Sequence, residues 1–152
     1  METFRSLVSA CTLIQPQAQA QQSRTDDIII DLCKLLCTEF ENSPETTIGS
    51  SDHFDQFRPL LNAICEPCLH TDTRFLITKV LKILLRKEIN RSSLGKAGVT
   101  AIVKSMNLCG TNLALAAEVC NLVLNALYDG RNVQHFVVLQ VSLFFSSQDT
   151  LK

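Results

Sequence analysis

Cys65-Glu66-Pro67-Cys68, with His70 two residues further on, is where residues able to hold a metal or exchange a disulfide fall closest together in this chain. A structural zinc site needs four ligands, usually as two closely spaced pairs. The nearest further donors, His53 and Cys109, do not form a second pair, so the spacing predicts no metal ligands. Exchange through C-x-x-C requires a strand-helix-strand setting, and the surrounding pattern is helical. Cys65 and Cys68 therefore read as a core cysteine and a loop cysteine at the end of a helix. His53, His70 and His135 are scattered, and no nucleophile elbow, metalloprotease, phosphate-loop or dinucleotide motif occurs. Gly95 to Gly98 reads as a turn between helices, so the expectation is a chain that is not an enzyme and carries no catalytic residue, metal or cofactor.

Composition narrows the class. At 152 residues with 46% apolar content, the chain suits one domain with a continuous core. Its longest apolar run, Phe136 to Phe145, is broken by Gln140 and Ser142 and falls short of the ~20 residues a membrane helix requires, which predicts no membrane partner. Seven cysteines is an odd number. Cys33, Cys37 and Cys120 sit at helical core spacing and are expected as buried, reduced thiols of a cytoplasmic (and also nuclear) protein. Leu7 to Ile14 followed by Ala18-Gln19-Ala20 has the outline of a secretory leader, but Glu2, Ser9 and Thr12 interrupt it and the stretch also pairs with a later segment. The net charge of −1 conceals an asymmetry: residues 1–73 hold eleven acids and four bases, and residues 74–96 hold seven bases and one acid. Near-neutrality overall argues against a nucleic-acid partner.

The residues are organised by self-similarity. Within Phe57 to Gln140 a shift of 42 to 43 residues superimposes apolar positions: Phe57, Leu60, Leu61 and then Leu76, Ile77, Val80, Leu81, Leu84, Leu85 fall on Val99, Ile102, Val103 and then Val119, Cys120, Val123, Leu124, Leu127, Tyr128. Such a period marks a helical repeat array. Phe4 to Ala10 matches Phe57 to Ala63, and Leu32 to Cys37 matches Val80 to Leu85. Units of about 4–40, 57–87 and 98–129 follow, with a partial unit at 133–146 and mobile loops at 15–25, rich in Gln, and 42–52. Each unit ends in a long helix, at Asp27 to Phe40, Thr73 to Lys87 and Leu113 to Tyr128, with Asp72 and Gly130 as start and stop signals. Shorter helices precede them at Phe4 to Cys11, Phe57 to Ile64 and Val99 to Met106, and Ser92 to Ala97 has room for a one- to two-turn helix.

Leu94-Gly95-Lys96-Ala97-Gly98-Val99-Thr100-Ala101-Ile102-Val103, followed by the small-residue helix Ala116 to Leu127 with Asn125 near its end, resembles an armadillo repeat. Val133 to Phe145 is similar to the first-turn-second helix segment of a further repeat, with Gln140 where Gly98 stands. The resemblance, with the related HEAT solenoid as the alternative, implies an all-α, right-handed α-solenoid of about three armadillo-like repeats. It also implies that the third helices line a concave face. On those helices Lys34, Lys82 and Asn125 take equivalent places, with Ile30, Thr78 and Asn121 one turn earlier. The resemblance gives Asn125 the task of holding an extended peptide backbone. Lys34, Thr78, Lys82, Arg86, Asn121 and Asn125 are thus the expected partner-binding residues, and lysine at two rungs favours an acidic or phosphorylated protein or peptide.

The expected function is a non-catalytic scaffold that binds a partner on the concave face. The alternative is a structural piece of a longer solenoid that assembles through exposed end helices. In that case the crowded Phe136, Val137, Leu139, Val141, Leu143, Phe144 and Phe145 would bring homo-oligomers together at the C-terminal end. Far-ultraviolet circular dichroism is expected to give a helix-dominated spectrum; strand dominance would overturn the periodicity on which all of this rests.

Overall fold

The computed structural model describes residues 2–14, 19–42 and 53–149, with side chains described for 2–14, 24–42 and 57–140. Among these residues there are eight helices and no strand: α1 (Glu2–Thr12), α2 (Gln19–Asn42), α3 (His53–Ile64), α4 (Thr71–Leu84), α5 (Glu88–Ser93), α6 (Gly95–Met106), α7 (Leu113–Leu127) and α8 (Gly130–Asp149). The protein is all-α.

Helix packing sorts into two layers. In one, α2 packs on α4 and α4 on α7; in the other, α1 packs on α3, α3 on α6 and α6 on α8. Pairs α1/α2, α3/α4 and α6/α7 join the layers, and α5 bridges α3 and α8. Between the layers runs one apolar core that includes Leu7, Ile29, Leu36, Leu60, Ile77, Leu81, Leu94 and Leu122. On α4 the buried set Thr73, Arg74, Ile77, Thr78, Val80, Leu81 and Leu84 recurs at three- and four-residue steps, as one helical face must.

Several boundaries differ from expectation, each for a local reason. Residues 19–25, expected in a loop, form the first turns of α2; Gln, Ala and Arg are good helix formers and no glycine or proline interrupts them. The remainder of that loop, 15–18, and residues 43–52 of the other lie outside the described residues. The short helix lies at Glu88–Ser93 and not at 92–97, because the chain reverses at Gly95, whose φ of 56° is left-handed and favours glycine. Gly98 is instead buried inside α6. At 133–145 no turn interrupts α8; one period after Gly95 stands Val137, whose branched side chain disfavours that left-handed turn. His70, not Asp72, is the N-cap of α4, its ring accepting from the Asp72 amide at 3.4 Å. The side chains of Phe144 and Phe145 lie outside the described residues.

Buried polar side chains close the helix ends. Arg74 is 4% exposed; its Nε donates to Ile64 O at 3.1 Å and its Nη2 to Glu66 O at 2.6 Å, satisfying carbonyls at the end of α3. Asn90 Nδ2 donates to Leu84 O at 2.8 Å at the end of α4. One period later Asn132 Nδ2 does the same for Ala126 O at 3.0 Å at the end of α7, and also reaches Arg91 O at 2.8 Å. Asn132→Leu is expected to lower unfolding free energy in urea by about 1–3 kcal/mol, the cost of stranding buried acceptors. Lys96→Ala, at an exposed position in the first turn of α6, should stay within about 0.5 kcal/mol of wild type.

Candidate partner-binding face

Adjacent helices α4 and α7 run in the same direction. Phe75 packs against the cluster of Cys109, Leu115 and Val119 near the start of α7, whereas the Lys82 carbonyl accepts from Asn125 further along it. Lys82 Nζ is 2.5 Å from Glu118 Oε2, and both side chains are mostly covered. Asn125 Nδ2 donates to Lys82 O at 3.0 Å. Two expected binding residues therefore meet each other, and their bonding capacity ties the helices together. Lys82 brings its countercharge with it.

Thr78 is fully buried, its hydroxyl donating to Arg74 O at 2.8 Å. It lies on the stripe Phe75-Thr78-Lys82 that faces α7, so no external partner reaches it. Lys34 is exposed, with Asp31 at 3.9 Å. Arg86 and Asn121 are exposed as well, while Lys79 lies over the Phe75 ring at 5.0 Å. The outer face of the α2–α4–α7 layer thus presents Lys34, Lys79, Arg86 and Asn121, without Thr78 and with Lys82 and Asn125 engaged.

Cys65 Sγ donates to Ala101 O at 3.1 Å, joining the end of α3 to α6. Cys68 is exposed and His70 caps α4. No group of three or more His, Cys, Asp or Glu side chains with metal-holding geometry occurs among the described residues, and no described helix is long and apolar enough to cross a membrane. Arg74, which falls in the basic stretch of residues 74–96, is a buried capping group. Burial pulls its pKa down, opposed by the neighbouring Cys109, Cys65 and Cys68 thiols. Its signal was its place among Thr73, Ile77 and Thr78 on the inner face. Neither a family model, nor a curated protein, nor a solved structure matches the chain.

Of the three cysteines expected to be buried, Cys33 is, Cys37 is half-buried and Cys120 is exposed. On α7 the inward positions are Leu115, Val119, Leu122 and Ala126, and Cys120, one residue past Val119, is rotated away by about 100°. Burial pushes the Cys11 thiol up from its ordinary 9.0 to about 12 and raises Cys33 as well, with Cys11 and Cys37 nearby adding to the shift. Both thiols stay protonated in the folded chain at pH values where the unfolded chain ionises them. Stability from this source is intact below about pH 9 and falls as pH rises towards 12. Urea unfolding from pH 8 to 11 is expected to show a steeper alkaline loss for wild type than for Cys11→Ala/Cys33→Ala. Native thiol labelling should modify the exposed Cys68 first and spare Cys11 and Cys33.

Proposed function

We propose that the chain is a non-catalytic protein-interaction module, an armadillo-like α-solenoid that binds a partner segment across the outer, concave face of the α2–α4–α7 layer. The observation that carries this reading is the side-by-side packing of α2, α4 and α7, which turns one face of three successive helices to solvent as a single surface. The recurrence of the Asn90 and Asn132 end caps one period apart supports the repeat interpretation. Lys34, Lys79, Arg86 and Asn121 are the contact residues in this reading. Lys82 and Asn125 set the spacing between helices, and Thr78 has no part in contact.

On α4 this face carries Lys79 and Arg86, whereas on α2 Lys34 stands among Asp27, Asp31 and Glu41, so an acidic or phosphorylated segment is favoured at the α4 part of the face. Contacts of this exposed kind weaken with salt, since charge pairs at the rim are screened within about 8–10 Å. Selection of a displayed peptide library against the purified chain tests the reading. Acidic peptides should be enriched, and Lys79→Glu/Arg86→Glu should weaken them by about tenfold. Lys104→Glu, at an exposed position on α6 in the other layer, should leave them unchanged. Enrichment of no peptide, or equal losses in both variants, would overturn it.

A further inference from the structure

The stripe of α4 that faces α7, Phe75-Thr78-Lys82, has a counterpart one period later on α7: Ala117-Cys120-Leu124. On α4 these positions are covered, Thr78 completely. On α7 no described helix covers them; Cys120 is exposed and Leu124 is 60% exposed, with Leu113 84% exposed in line with them. The stripe is thus more apolar where it meets water than where it meets a helix. At the opposite end of the same layer, α2 leaves Ile28 49% and Leu35 57% exposed, seven residues apart on one flank. Among the described residues no helix covers either flank.

We infer that a second copy of this chain docks head to tail, the Ile28–Leu35 flank of its α2 packing on the Leu113–Leu124 flank of α7. The contact would repeat the way α7 packs on α4. Charge agrees with this pairing. The exposed carboxylates Asp27, Asp31, Glu39 and Glu41 lie on α2, Asp31 near Lys34 and Glu39 accepting from Thr3 Oγ1, and at the end of α7 stand Arg91, over the Tyr128 ring at 5.9 Å, and Arg131, held by Asp129. In the other layer, Val133, Val137 and Val138 are also exposed on α8, extending the apolar end. The contact joins two different surfaces, so it does not close on itself and propagates to longer assemblies.

The test is analytical ultracentrifugation of the whole chain with two variants at exposed positions, Leu35→Asp and Leu124→Asp. Wild type should show mass rising with concentration beyond the dimer. Each variant alone should be monomeric, because each has lost one of the two ends. Mixed in equal amounts they should recover association and stop at a dimer, since Leu35→Asp keeps an intact α7 flank and Leu124→Asp an intact α2 flank. Native labelling of Cys120 should be slowed at least about tenfold in the wild-type assembly relative to the Leu35→Asp monomer. Thermal melts followed by circular dichroism verify that both variants stay folded; if either does not, Leu35→Lys and Cys120→Arg replace them in the same experiment. A wild type that is monomeric throughout overturns the proposal. So does a Leu35→Asp variant that still dimerises, which would mean an α7-to-α7 contact, or a mixture that stays monomeric. This result is independent of peptide selection on the outer face, so either can fail alone.

Discussion

Buried donors that cross from one helix to the end carbonyls of another set the joints of this fold. A helix leaves its last carbonyls without intrahelical partners, and where those ends are buried each stranded acceptor costs about 1–3 kcal/mol. Arg74 serves the end of α3, Asn90 the end of α4 and Asn132 the end of α7. Arg91 adds a donor at Leu85 O, 3.1 Å away. In each case the donor sits on, or just before, the opening turns of a helix that follows, so the bond that satisfies one helix also fixes where the next departs. The leucine-rich core can then be continuous, because the joints hold successive helix pairs at a spacing that leaves no polar end facing it. A buried guanidinium without a carboxylate is tolerable at the end of α3 because the carbonyls there carry partial negative charge aligned by the helix.

The polar ladder expected to meet a partner is partly consumed inside the molecule. Lys82 and Glu118 neutralise one another, and Asn125 spends an amide hydrogen on the Lys82 carbonyl. These bonds fix how far α7 is shifted along α4, and that shift determines which side chains of each helix point outward. Structure at the contact and chemistry on the surface are thus linked through the same few residues. Arg86 and Asn121 keep their place outside because neither lies on the stripe between the helices.

Helix existence was legible because three- and four-residue apolar steps persist through α2, α4 and α7. The short register was harder. α4 has polar residues enough to mark its outer side, and its inward set could be read directly. α7 is apolar almost all round, so periodicity alone did not choose between aligning Lys82 with Leu124 or with Asn125; burial of Val119, Leu122 and Ala126 favours the former, one period after Ile77, Val80 and Leu84. Cys120 was misplaced for the same reason. Arg74 was illegible by type, since a charged residue in a basic run is ordinarily solvated. The Asn90–Asn132 spacing was in plain view, but attention to apolar positions passes over a polar pair that recurs.

Stability is not spread evenly along such a stack. α4 buries seven of its 14 residues and has a helix on either flank, whereas α1 and α7 bury four residues each. Since burial of apolar area is the main favourable term, at about 25 cal/mol per Å², the central α3–α4 pair is the part that opens last and the outer helices open first. The capping bonds moderate this gradient without removing it: Asn132 ties α8 to both α7 and α5, so opening α8 exposes two carbonyls at once. α2 and α7 pack along their lengths on α4, so the surfaces they leave least satisfied are the flanks turned away from it, where Ile28, Leu35, Leu113 and Leu124 stay exposed.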